Sequence, residues 1–171
     1  MNIFNKINKL LKGDKQSSVR IEAIKPFERN YEINTPTVWF TDSNIENCID
    51  EVVKNKIEHI HLQTNTLDFL SDSRLKNVKG ITVQFAQRNI APLLKFKNIT
   101  HLGLPKKIKV NFDFSKFPNL ISLSGELPNK YENFGSLQKL KYTYLFSFRK
   151  PNFMDFSNCK NLIKILLQGL Y

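Results

Sequence analysis

Residues 57–70 read IEHIHLQTNTLDFL, and the pattern of their first six residues recurs along the chain. Each recurrence begins with two apolar residues three positions apart, in the segments IEHIHL (57–62), VKGITV (78–83), ITHLGL (99–104), LISLSG (120–125), LQKLKY (137–142) and LIKILL (162–167). Successive segments start 21, 21, 21, 17 and 25 residues apart. A nearly fixed period of this length predicts structural repeats that pack on one another.

A second set of residues keeps the same period. Asparagine precedes four of the segments, at Asn77, Asn98, Asn119 and Asn161, and the phrase DFSxxxNL occurs at 113–120 and 155–162. An asparagine at a fixed place can bond the backbone of a neighbouring repeat and so form a ladder. Phenylalanine also recurs, and we expect one column on the side of the core opposite the strands, made of Phe96, Phe117 and Phe134.

Each segment is predicted to form a short strand whose alternate side chains point into the core. The inward residues should then lie in one buried column across parallel strands, made of Ile60, Ile81, Leu102, Leu123, Leu140 and Ile165.

The full segment from Ile57 to Leu70, with Asn65 at its ninth position, matches the conserved segment of the leucine-rich repeat family, which the chain resembles over roughly 36–171. The other segments are degenerate, because Ala86 and Lys107 stand at the Asn65 position and Gly125 replaces an apolar residue. The resemblance implies an α/β fold, as a right-handed leucine-rich-repeat-like solenoid of about seven coils with one parallel sheet. It also implies a binding scaffold.

The N-terminal part departs from the pattern. TVWFTD (37–42) is predicted to be a strand, and Asp42 or Ser43 to cap a helix whose buried face holds Ile45, Cys48, Ile49, Val52 and Val53. Residues 1–35 are assigned to a cap: an amphipathic helix within 3–11, then VRIEAI and NYEINT paired as a hairpin. The basic helix could instead lie on a membrane, but the need to cover a terminal repeat favours the cap. Residues 36–171 form the second unit, the solenoid.

Motifs of catalysis are not seen: the chain has no glycine-rich phosphate loop, no HExxH, no CxxC and no GxSxG. We therefore predict no enzymatic activity and no cofactor. His59 and His61 share a strand face, but His101 is two strands away, nearly 10 Å at ~4.8 Å per strand, so no metal site is predicted. Cys48 and Cys159 are expected in the core of a protein from a reducing compartment. The absence of a signal sequence and of a long apolar run predicts a cytoplasmic protein without a membrane span.

The outward strand positions form the candidate binding face. All three histidines and the single tryptophan fall there, and aromatic anchors dominate binding energies in interfaces. The predicted partner-binding residues are Trp39, His59, His61, Gln63, Thr82, Gln84, His101, Ser124, Lys139, Lys141, Lys164 and Leu166.

Charge indicates the kind of partner. The net charge is +11, and residues 71–171 carry seventeen basic against five acidic side chains, which favours an acidic partner. We interpret the chain as a non-catalytic protein-binding module, and specifically as an immunity protein that neutralises a cognate toxin. A nucleic-acid-binding module and a general adaptor are the alternatives. Lys139, Lys141 and Lys164 stand near aromatic residues as nucleic-acid binding requires, but Tyr142 is placed inward. The last strand, an exposed edge, predicts an interface formed by strand pairing with a partner or with a second copy of the chain.

Overall fold

The computed structural model describes residues 19–24, 35–106, 108, 110–146 and 156–168, with the backbone alone at 21–24. The predicted helix within residues 1–18 lies outside this part of the chain. No helix among the described residues is long and apolar enough to cross a membrane.

One large sheet organises the protein. Its eight strands are β1 (Arg20–Ile24), β2 (Thr35–Thr41), β3 (His59–Gln63), β4 (Gly80–Val83), β5 (His101–Leu104), β7 (Ser122–Gly125), β9 (Tyr142–Phe146) and β10 (Lys164–Gln168). They lie side by side in this order, and the seven from β2 onward are parallel. A smaller parallel pair joins β6 (Phe112–Asp113) to β8 (Tyr131–Glu132). With helix α1 (Ile45–Asn55), the described chain is α/β with few helices.

Strands and short 3₁₀ helices alternate at a steady interval. The strands from β3 to β10 begin 21, 21, 21, 20 and 22 residues apart. The 3₁₀ helices between them are Asp68–Ser71, Ser73–Leu75, Leu93–Lys95, Phe114–Lys116, Phe134–Ser136 and Phe156–Asn158. Parallel neighbours need such crossovers, because a tight hairpin can join only antiparallel strands.

The inward column is confirmed on four strands and wrong on the fifth. Ile60, Ile81, Leu102 and Leu123 are consecutive in register and fully buried. Next to Leu123, however, lies Thr143 instead of Leu140. Leu140 is also buried, but it belongs to the turn before β9, where its N–H bonds the carbonyl of Leu137.

Leu140 was misplaced because the interval between two strands contains a second pair of apolar residues three positions apart. Phe117 and Leu120 are three residues apart in the turn before β7, and the N–H of Leu120 donates to the carbonyl of Phe117 at 3.1 Å. Leu137 and Leu140 repeat this arrangement before β9, also at 3.1 Å. The segment LQKL therefore corresponds to the turn residues FPNL, and the predicted intervals of 17 and 25 residues came from the wrong alignment.

The phenylalanine column contains Phe134 as predicted, but its other two members differ from the prediction. Phe114, Phe134 and Phe156 begin successive 3₁₀ helices, and their rings meet edge to face at 5.1 and 5.4 Å between centroids. Phe117 packs instead on Phe112 at 5.5 Å, and Phe96 is only half-buried. The predicted column combined phenylalanines that occupy different positions within the repeating interval between strands.

Helix α1 covers the sheet near its start. Cys48, Ile49 and Val52 are buried as predicted, and burial raises the pKa of the Cys48 thiol to about 12, which keeps it protonated. Val53 is 47% exposed, so its placement in the core was wrong. The N-cap is Asn44, whose side-chain oxygen accepts a bond from the Thr41 N–H at 2.8 Å, and not Asp42 or Ser43.

The first strand has a different partner from the predicted one. Arg20–Ile24 pairs antiparallel with Thr35–Thr41, and Arg20 lies opposite Trp39. Residues 30–34 of NYEINT, the predicted hairpin partner, lie outside the described chain, and its remaining residue Thr35 pairs with Ile24. An edge strand of a parallel sheet exposes a row of unpaired backbone groups, and β1 covers those of β2. Strand β2 begins at Thr35, two residues before the predicted strand of residues 37–42.

Asparagine ladder bonds form at two of the predicted places. Asn119 and Asn161 donate from their side-chain amides to the carbonyls of Lys97 and Gln138, at 3.3 and 2.7 Å. Asn65 instead is exposed and bonds the carboxylate of Asp42.

Candidate binding face of the sheet

The outward face of the sheet is a set of in-register rows, because parallel strands place equivalent residues side by side. The first row runs Thr37, His59, Gly80, His101, Ser122, Tyr142 and Lys164. The second runs Trp39, His61, Thr82, Gly103, Ser124, Tyr144 and Leu166. Twelve of these fourteen positions lie as predicted from the alternation of strand residues, and the two that differ are Tyr142 and Tyr144 on β9.

The N-terminal part of the face carries a stack of three planar groups. The Arg20 guanidinium carbon lies 4.2 Å from the centroid of the Trp39 ring, and the His61 ring stacks on Trp39 at 3.9 Å with 22° between planes. Guanidinium and indole attract one another through the cation–π interaction. We call Arg20, Trp39 and His61 the planar stack. Trp39 and His61 were predicted for this face, and Arg20 was missed because its pairing with Trp39 depends on β1.

An amide network continues from the stack. Nε2 of His61 lies 3.0 Å from Oε1 of Gln84, and the Gln63 side-chain amide donates to the same oxygen at 2.6 Å. The predicted residues His61, Gln63 and Gln84 thus form one connected group. Hydrogen bonds of this kind hold the exposed side chains in fixed orientations.

His59 and His101 contact each other, contrary to the separation expected from strand spacing. Their ring centroids are 5.0 Å apart although β4 lies between their strands. Gly80 makes the contact possible, since a Cβ there would stand 2.3 Å from Nδ1 of His59. The Thr100 hydroxyl lies 2.8 Å from Nδ1 of His101.

Burial is the main influence on this histidine pair. It lowers the pKa of His59 to about 4, with a further contribution from His101, and it also lowers the pKa of His101. Both rings are therefore neutral at pH 7. Among the described residues, no three histidine, cysteine or acidic side chains form a group that could hold a metal ion.

The C-terminal part of the face differs most from the prediction. The outward residues of β9 are Tyr142, Tyr144 and Phe146, all half-buried. Lys139 and Lys141 are exposed but lie in the turn before β9, so their placement on the strand face was wrong. Lys139 donates to the side-chain oxygen of Asn119 at 2.7 Å.

The remaining predicted residues also lie on this face. Lys164 and Leu166 are opposite Tyr142 and Tyr144. Thr82 is exposed, whereas Ser124 is buried and therefore offers little contact area. The alternation in YTYLF (142–146) was the signal that could have revealed the three aromatic residues, since Thr143 and Leu145 are fully buried between them.

The last strand exposes residues of the inward columns. Ile165 lies next to the buried Thr143 but is 40% exposed, and Leu167 lies next to the buried Leu145 and is 51% exposed. Within the described chain, β10 pairs only with β9. Self-association through this edge stays a prediction.

Comparison with known proteins adds no relative. No known protein family matches the chain, and no curated protein matches it at a significant level of sequence similarity.

Proposed function

We propose that this chain is a non-catalytic protein-binding module, built as a right-handed leucine-rich-repeat-like solenoid that binds its partner on the outward face of the sheet. Seven parallel strands, with equivalent positions 20 to 22 residues apart from β3 onward, support the solenoid. Shared columns of buried apolar residues support it as well. Repeats that stack in this way offer one continuous surface for a partner.

The planar stack is the observation that carries the binding role. Tryptophan and arginine are the residue types most enriched among those that dominate interface energies. Here they are held before binding, because Arg20 packs over Trp39 and His61 is bonded to Gln84. Groups that are already ordered lose less conformational entropy when a partner binds.

Small residues near the stack let neighbouring side chains lie close to the sheet. Gly80 on β4 and Gly103 on β5 belong to the outward rows, and a Cβ at either position would collide with the side chain of His59 or Thr82. The His59 ring and the Thr82 side chain therefore occupy the space above these glycines, and the face offers a partner ordered side chains there instead of an open depression.

The partner is proposed to be an acidic protein. Lysines line the turns that lead into the strands, and the exposed ones are Lys56, Lys76, Lys79, Lys97, Lys139, Lys141 and Lys160. Glu58 is the acidic residue in the corresponding turns of the described chain, and it pairs with Lys79 at 2.7 Å. An excess of one sign of charge steers partners of the opposite sign toward the surface.

Within this class, neutralisation of a cognate toxin is the specific role that we propose. An immunity protein needs a rigid surface that covers a toxin's active or target-binding site, and it needs no chemistry of its own. A general adaptor for an acidic protein is the alternative. A toxin domain encoded by the neighbouring gene is the partner to test first.

The test measures binding by planar-stack variants. With the purified toxin domain, or with an acidic protein identified by cross-linking, His61→Ala and Trp39→Ala should weaken Kd by more than about fivefold, equal to about 1 kcal/mol. Lys116→Ala, which alters a 3₁₀ helix away from the strands, is the matched control and should bind like the wild type. Urea unfolding checks that each variant is folded. An unchanged Kd in both stack variants would show that the interface does not lie on this face.

A further inference from the structure

Three aromatic rings on one strand form a row that the proposed protein partner does not require. Tyr142, Tyr144 and Phe146 occupy successive outward positions of β9, which are ~6.6 Å apart along an extended strand. The Tyr144 and Phe146 ring centroids are 6.2 Å apart. We call these three residues the aromatic row.

Cations surround the aromatic row. Lys164 lies opposite Tyr142 on β10, and Lys141 directly precedes Tyr142 and is exposed. At the other end, Nζ of Lys106 lies 5.9 Å from the centroid of the Phe146 ring. Glu126, which follows β7, adds one carboxylate on this side, so three positive charges stand against one negative charge among the residues that the structure describes.

We propose that the aromatic row binds single-stranded nucleic acid, with bases stacked on its rings and phosphates bound by Lys106, Lys141 and Lys164. Single strands are bound without sequence preference by aromatic side chains on which successive bases stack, within a positively charged surface. Four-stranded sheets that recognise RNA stack two or three bases on aromatic side chains. The row has this number of rings, a compatible spacing and the required charge.

Two other occupants fit these observations less well. In a duplex the bases are stacked on one another, so their faces are not open to rings on a sheet. An acidic polypeptide would use the lysines but has no planar groups to stack at each of three successive positions. The inference goes beyond the proposed protein-binding role, because the planar stack lies on β1, β2 and β3 and the aromatic row lies on β9.

The experiment is fluorescence anisotropy on the full chain with labelled oligouridylate and oligodeoxythymidylate of about ten nucleotides. We expect binding that weakens with salt, with a log–log slope of about −0.7 for each phosphate contacted. Binding of either probe supports the proposal. The ratio of the two affinities shows whether RNA or DNA is preferred.

Replacement of the rings tests stacking. Tyr144→Leu and Phe146→Leu keep apolar bulk but remove the π-face, and each should weaken binding about fivefold or more. Tyr144→Phe loses only the hydroxyl, which donates to the side chain of Gln168, and should retain binding. Lys141→Ala should reduce the magnitude of the salt slope by about 0.7. Lys116→Ala, on a 3₁₀ helix away from the strands, is the control and should leave the affinity unchanged.

Several results would overturn the proposal. These are no binding of either probe at low salt, equal affinity in the wild type and both leucine variants, or binding of a duplex of the same length at least as tightly as the single strands. Polyglutamate could also displace the probe and bind the wild type and Tyr144→Leu with the same affinity. That result would assign the lysines to a protein partner instead. Loss of toxin or acidic-protein binding in the planar-stack variants is a separate result and leaves this test intact.

Discussion

At the scale of single residues, two buried threonines have opposite surroundings. Thr64 and Thr143 are both fully buried. The Thr64 hydroxyl donates to the carbonyl of Thr66 at 2.8 Å, whereas the Thr143 hydroxyl has no hydrogen-bond partner within the described chain. A buried hydroxyl without a partner loses its hydrogen bonds to water and gains none in return.

Substitution by valine should therefore act in opposite directions at the two sites. Thr143→Val removes the unsatisfied hydroxyl and completes an apolar column, so the free energy of unfolding should rise by about 1 kcal/mol. Thr64→Val breaks a buried hydrogen bond and should lower that free energy by about 1–2 kcal/mol. Urea unfolding measures both. A loss of stability in Thr143→Val comparable to that in Thr64→Val would contradict the assignment of an unpaired hydroxyl.

At the scale of elements, the position of a strand in the sheet should decide how much its core residue contributes. Leu102 on β5 is 2% exposed between Ile81 and Leu123, whereas Ile165 on β10 is 40% exposed beside Thr143. Truncation of a buried aliphatic side chain loses its transfer energy and leaves a cavity. A partly exposed side chain loses less of both.

Leu102→Ala should lower the free energy of unfolding by about 2–5 kcal/mol, and Ile165→Ala by about 1 kcal/mol or less. Chemical denaturation monitored by circular dichroism gives both values. Lys97→Ala, an exposed turn substitution, is the control and should stay within about 0.5 kcal/mol of the wild type. Equal costs at Leu102 and Ile165 would mean that the end of the sheet is covered in solution, as self-association through β10 would require.

At the scale of the whole molecule, the histidine pair makes stability depend on pH. The pKa of His59 is lowered from 6.5 to about 4, chiefly by burial and then by His101, while Glu58 raises it and Lys79 lowers it slightly. Between these two pH values the unfolded chain binds a proton at this site and the folded chain does not. The free energy of unfolding therefore falls as pH decreases from 6.5 to about 4.

A second contribution belongs to lower pH. Hydrogen bonds from Ser115 and Asn133 lower the pKa of Asp113 from 3.8 to about 2, so its contribution is lost as pH falls through that range. We expect His59→Asn to flatten the slope of stability between pH 6.5 and 4 and to leave the acid limb intact. Gln84→Ala, an exposed neutral control, should keep both limbs. A slope in His59→Asn equal to that of the wild type would refute the role of His59.

The spacing of apolar residues within each segment was enough to predict most of the strands of the sheet, without knowledge of which strands lie beside them. An extended segment that is buried on one side must alternate apolar and other residues, so His59–Gln63 could assign its own inward and outward faces. The same reasoning placed Leu102, Leu123, His101 and Lys164. Helix α1 was predictable for a similar reason, from the spacing of Cys48, Ile49 and Val52.

Only the tertiary structure decided the strand register, the edge pairing and the ring contacts, because these features depend on contacts between distant segments. Both LQKL and KYTYLF contain apolar residues suited to burial, and the bond from the Tyr142 N–H to the carbonyl of Ile121 selects the second as the strand. The partner of β1 was likewise set by the open edge of β2. Contact between His59 and His101 required the missing side chain of Gly80, which strand spacing does not take into account. The tendency of a segment to be buried depends on its own residues, whereas register, edge pairing and ring contacts depend on which strands lie beside it.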